Sequence, residues 1–76
     1  SFDLDVLDPA FAPGVGNPEA AGITSRELFD MIHSFENKKV NGIDIVELNP
    51  NYDNGATASL AAKVMSTLIA LNLAQN

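Results

Sequence analysis

Three prolines and three glycines fall within the stretch 8–22, as Pro9, Pro13 and Pro18 with Gly14, Gly16 and Gly22. Proline fixes φ and removes a backbone donor, and glycine weakens any preference for a regular element, so neither helix nor strand can run through this stretch. The chain must therefore fold as two patterned regions joined by a long irregular loop. Loops of that length inside compact domains are usually functional or disordered. Phe11 and Val15 give this one apolar side chains to bury, so it is expected to be ordered and to line a site.

Ahead of the loop, Phe2, Leu4 and Val6 alternate with Asp3 and Asp5 across Ser1–Leu7, the period-two signature of a strand whose two carboxylates share one face. Behind it, Thr24 and Glu27 have the spacing of a capping box, with Ile23 able to staple onto Leu28. Leu28, Met31, Ile32 and Phe35 then form one apolar helical stripe, and Asn37-Lys38-Lys39 closes the last turn with favourable positive charge. Val40–Leu48 carries Ile43, Ile45, Val46 and Leu48, the β-branched run of a strand buried on both faces, which Asn49-Pro50 ends. After a turn over Asn51–Gly55, Leu60, Val64, Leu68 and Leu71 recur at helical spacing. Ala61, Met65 and Ile69 widen that stripe, so the last helix is expected to be mostly buried.

The order strand, loop, helix, strand, helix is that of an α/β fold with a right-handed crossover between parallel strands. Two parallel strands need further strands and helices on both faces, so residues 1–76 are expected to be the C-terminal β-α-β-α portion of a larger doubly wound domain. Size agrees: 76 residues allow one domain, and 46% hydrophobic against 18% charged residues describes a packed interior. A start at Ser1-Phe2-Asp3, without an initiator Met or a signal pattern, reads as a cut end. A net charge of −6 repels a phosphate backbone and argues against nucleic acid as a partner. The absence of cysteine rules out a disulfide framework and thiolate metal sites and favours a reducing, cytoplasmic setting. The most apolar stretch, Ser59–Ala74, is broken by Lys63, Ser66, Thr67 and Asn72 and is shorter than the roughly 20 residues of a membrane span, so no membrane is expected.

Ligands of open α/β sheets gather at the carboxyl ends of the strands, and Asp3, Asp5 and Glu47 all lie at or near such ends. Asp3 and Asp5 could converge on one hard cation or a pair, or could be turn-forming acids that cap a strand end and accept backbone hydrogen bonds. Asp3, Asp5 and Asp8 do not make an EF-hand loop, whose sixth position is glycine and whose twelfth is glutamate; Asp8 and Gly14 stand there. Glu47 inside Ile45-Val46-Glu47-Leu48 would be costly to bury unpaired. Its partner is either a lysine or arginine elsewhere in the domain or a bound guanidinium gripped through paired hydrogen bonds. Gly14-x-Gly16 lacks the third glycine of a dinucleotide loop, with Glu19 in its place, and reads as turn geometry. His33, alone beside an apolar stripe, is assigned no role.

Three blocks then stand out together: Ser1-Phe2-Asp3-Leu4-Asp5-Val6-Leu7-Asp8-Pro9, Ala12-Pro13-Gly14-Val15-Gly16-Asn17-Pro18, and Asp44-Ile45-Val46-Glu47-Leu48-Asn49-Pro50. They resemble the C-terminal signature blocks of the ureohydrolases, the arginases, agmatinases and their relatives, and the resemblance spans the whole chain. Ala12-Pro13-Gly14 and Tyr52-Asp53 look more like agmatinase than arginase. The resemblance implies an α/β/α sandwich around a parallel sheet and a binuclear manganese enzyme that hydrolyses a guanidino group, with agmatine foremost, to urea and an amine. By that match Asp3 bridges the two manganese ions, Asp5 ligates one, and Glu47 holds the substrate guanidinium. The other metal ligands belong to segments upstream of this chain. Two divalent cations would acidify a bridging water for attack on the guanidinium carbon. The resemblance also implies a homo-oligomer, a trimer or hexamer, and a place in polyamine biosynthesis. By the same match Asn17 would lie beside the substrate, at a position where many relatives carry threonine, and Ala20-Ala21-Gly22 replaces a Pro-Gly-Gly-like stretch, which leaves arginine and guanidinobutyrate open as substrates. The alternative is a ureohydrolase-like binding or assembly protein without turnover.

Overall fold

The computed structural model describes residues 1–74, so Gln75 and Asn76 of the expected 1–76 unit lie outside the described residues. The chain runs through β1 (Phe2–Asp3), a 3-10 turn (Leu4–Val6), α1 (Ser25–His33), β2 (Ile45–Val46), a second 3-10 turn (Pro50–Tyr52) and α2 (Ala56–Leu73). β1 and β2 pair in parallel, Phe2 opposite Ile45 and Asp3 opposite Val46, as the sequence order requires. The strand expected over Ser1–Leu7 stops at Asp3. Its carboxylate Oδ1 accepts the Asp5 N–H at 3.0 Å and caps the 3-10 turn, a local bond that outcompetes the ladder.

The proline- and glycine-rich loop is ordered, as expected, and closed at its base. Leu7 and Ile23 form a parallel bridge, with the Asp8 N–H donating to Ile23 O (2.9 Å) and the Ile23 N–H to Val6 O (3.0 Å). One Asp8 carboxylate oxygen accepts from Ala10 N and the other from Ala21 N, at 2.9 and 3.1 Å, tying the two ends of the loop together. Ala12 and Val15 are the loop residues that reach the core, whereas Phe11 stays exposed.

The core gathers Leu4, Leu7, Ala12 and Val15 against Leu28 and Ile32 of α1 and Ala61 and Val64 of α2. α1 begins as its capping box demands: Thr24 Oγ1 accepts the Glu27 N–H and Glu27 Oε1 accepts the Thr24 N–H. It ends at His33, before the expected Asn37-Lys38-Lys39 turn. The Ser34 hydroxyl donates to Met31 O, and successive i to i+3 bonds carry the chain on to Lys38.

Two burial expectations are corrected. The strand expected over Val40–Leu48 is reduced to Ile45–Val46, and Val46 and Leu48 are each 40% exposed because one face of this two-stranded sheet is uncovered. α2 buries Thr57, Ala61 and Val64 but exposes Ile69 and Leu73, so it is half-covered rather than mostly buried. Its 18 residues, at a mean hydropathy of 1.4, are long and apolar enough to cross a membrane by length and composition alone, contrary to the length argument made from the sequence. The observation that bears on its environment is the face it packs onto α1 and the loop.

Candidate functional site

The carboxyl ends of β1 and β2 lie side by side, because Asp3 is the register partner of Val46 and Glu47 follows directly. Asp3, Asp5 and Glu47 are thereby brought into one electrostatic neighbourhood. The Asp5 carboxyl is held above the ordinary aspartate range, first by a hydrogen bond with the Asp3 carboxyl, then by partial desolvation, then by the negative charges of Asp3, Glu47 and Glu19. Of the two readings open for the pair, the structure shows the turn-forming one for Asp3, whose Oδ1 accepts the Asp5 N–H and caps the 3-10 turn.

Glu47 departs from its expected setting. It is exposed and has no ion-pair partner among the described residues, so the cost of burying it does not arise in this chain. Its backbone is instead in the left-handed region, at φ 74°, which is sterically unfavourable for a side-chain-bearing residue and costs on the order of 1 kcal/mol or more. What over-determines that conformation is the loop. Val15 forms an antiparallel bridge with Leu48, and the Asn49 N–H donates to Gly14 O at 2.7 Å, clamping the chain immediately after Glu47. Asn17 lies in the exposed part of the same loop, beyond Val15, and makes no hydrogen bond to Asp3, Asp5 or Glu47 among the described residues.

Behind the clamp stands Thr57, which sequence reasoning did not single out, with Asp53, which it noted only within Tyr52-Asp53. The buried Thr57 hydroxyl accepts the Gly14 N–H at 2.7 Å. Asp53 accepts from Thr57 N and Ala58 N, each at 3.0 Å, and so satisfies the open N–H groups at the start of α2, where the N-cap Gly55 has no side chain to do it. Partial desolvation pushes the Asp53 carboxyl up, but the bonds from Thr57 N–H, Ala58 N–H, the Thr57 hydroxyl and Gly55 N–H outweigh it and hold the group below the ordinary range. An acidic residue just ahead of a helical stripe was the available signal.

Asp3 and Asp5, two residues apart across the 3-10 turn, supply hard oxygen donors of the kind that suits a divalent cation. Asp3 and Asp5 supply part of a donor set only. Among the described residues, no group of three or more His, Asp or Glu side chains is arranged to hold a metal. With Glu47 following Val46, the register partner of Asp3, the strand ends carry three acidic residues in one neighbourhood, which suits a positively charged ligand.

The family model described as "Arginase family" matches residues 1–70. The chain is 46% identical over 70 residues to the mitochondrial guanidino acid hydrolase of Homo sapiens, covering 91% of this chain and 20% of that protein. It is 46% identical over 72 residues to guanidinopropionase of Pseudomonas aeruginosa, covering 93% and 23%. The crystal structure of agmatine ureohydrolase of Thermoplasma volcanium superposes with a TM-score of 0.84 at 44% identity, over 93% of this chain and 24% of that one. The chain thus spans between a fifth and a quarter of the length of these proteins.

Proposed function

The chain belongs to the arginase family and has its fold, and from that premise we propose that it forms the C-terminal part of a catalytic domain that hydrolyses a guanidino compound, foremost agmatine, to urea and an amine. The observation that carries this reading is Glu47, held left-handed beside the paired carboxylates of Asp3 and Asp5 at the ends of two parallel strands. Strained backbone at a strand end is a device for aiming a side chain. Here it aims a carboxylate that can accept two parallel hydrogen bonds from a planar guanidinium. Asp3 and Asp5 would hold manganese, together with ligands from outside this chain. Bound divalent cations supply the lowering of a water pKa to near neutrality. The chain's own residues then bind and orient: Glu47 fixes the guanidinium, the Gly14 and Val15 clamp fixes Glu47, and the surrounding negative charge draws in a cationic substrate.

Ala12-Pro13-Gly14 and Tyr52-Asp53 favour agmatine. Similarity to a guanidino acid hydrolase and a guanidinopropionase favours a second reading, in which the substrate is a guanidino acid such as guanidinobutyrate. The reading extends to a cytoplasmic homo-oligomer. The test is urea release by the full-length protein that contains this segment, with and without manganese, from agmatine, arginine and guanidinobutyrate. Manganese-dependent turnover of one of them supports the proposal; no turnover of any with manganese bound favours a protein that keeps the fold for binding or assembly.

A further inference from the structure

The chain carries only four basic side chains, and two of them, Arg26 and Lys63, line one cleft between the first turn of α1 and the middle of α2. The cleft has a volume of about 490 Å³, within the range that takes small molecules, and shares no lining residue with the carboxylate site. Its polar wall adds the hydroxyls of Ser25 and Ser59, and its apolar wall is Phe29 and Leu60. Among the described residues neither Arg26 nor Lys63 takes part in an ion pair. Glu27, next to Arg26, spends its carboxylate on the Thr24 N–H, and Asp30, one turn along, forms no ion pair with Arg26. Lys63 is held over the cleft by the Phe29 ring, its Nζ 5.1 Å from the centroid, a cation–π contact that orients the charge without cancelling it.

We propose that this cleft binds a small organic anion, a phosphate or carboxylate head carried on a short aromatic or aliphatic body. The head takes charge-assisted hydrogen bonds from Arg26 and Lys63 and further ones from Ser25 and Ser59, and the body lies against Leu60 and Phe29. In a protein of net charge −6, two unpaired cations converging on one partly apolar cleft form an anion-selective exception to the surrounding field.

The test is titration of the full chain with phenyl phosphate, benzoate and inorganic phosphate, followed calorimetrically at low salt. Binding of phenyl phosphate or benzoate at about millimolar concentration or tighter is expected, and whichever binds more tightly identifies the head group. Arg26→Gln and Lys63→Met should each weaken it about tenfold. Lys38→Gln combined with Lys39→Gln, which removes the other two lysines outside the cleft, should leave it unchanged. No binding up to about 10 mM overturns the proposal, as does an equal loss in the Lys38 and Lys39 variant, which would indicate bulk charge alone. Inorganic phosphate binding as tightly as phenyl phosphate would remove the apolar wall from the site and overturn the ligand class.

Discussion

The Gly14 N–H donates to the hydroxyl of Thr57, 2.7 Å away and 43 residues on, and this bond couples the first turn of α2 to the loop that clamps Glu47. Thr57 is fully buried, so the bond has no water to fall back on. Loop position and helix start are thereby one mechanical unit.

Replacing Thr57 by Val keeps the volume and removes the acceptor, leaving the Gly14 N–H buried without a partner. The expected loss is about 1–3 kcal/mol, read as a lower urea midpoint of the full chain, with Thr57→Ser retaining most of the wild-type value. An unchanged midpoint in Thr57→Val would contradict the coupling.

Close approach rather than φ makes Gly14 a required glycine. A Cβ there would sit 2.5 Å from the Asp53 Cβ, so Gly14→Ala must push the helix cap away, at a cost of about 1–3 kcal/mol. A Cβ added at Gly16 would meet nothing within 4 Å, so Gly16→Ala should change stability by less than about 0.5 kcal/mol. Thermal midpoints of the two variants distinguish them directly.

Acid should uncover the Asp53 cap. Its carboxyl is depressed in the folded chain, so on lowering pH the unfolded chain takes up the proton first. The stabilisation is complete well above the ordinary aspartate value of about 3.9 and is lost as pH falls through the lower folded-state value. The stability difference between wild type and Asp53→Asn should therefore shrink steadily between about pH 5 and pH 2, measured by denaturant titration at each pH. A difference that stays constant or grows in acid would reverse the sign and refute the capping account.

At the proposed site the two kinds of carboxylate should fail differently. Asp3→Ala should lose manganese, read as metal content after dialysis, with affinity falling more than about a hundredfold. Glu47→Gln should keep the metal and lose about a hundredfold or more in kcat/KM for urea release. Normal turnover in either variant would sink the assignment.

Much of this was legible in one dimension. The Thr24 and Glu27 spacing and the breaker-rich loop are local patterns that the structure realises, whereas the α1 stripe is realised in part: Leu28 and Ile32 are buried, but Met31 is exposed and Phe35 lies exposed beyond the helix end. Where local patterns competed, the shorter-range bond won: Asp3 capped a 3-10 turn and cut its strand short, and Ser34 ended α1 before its lysines.

The sequence by itself determined the element order, the parallel pairing that follows from it and the three carboxylates that belong near strand ends, since these depend on periodicity and on chain connectivity. Only the tertiary structure decided that Glu47 is left-handed and exposed, that Gly14 rests on Thr57, and that Arg26 and Lys63 line one cleft. Each of those joins residues far apart in the chain, and no local pattern encodes a contact whose two halves are brought together only by packing of the core between them.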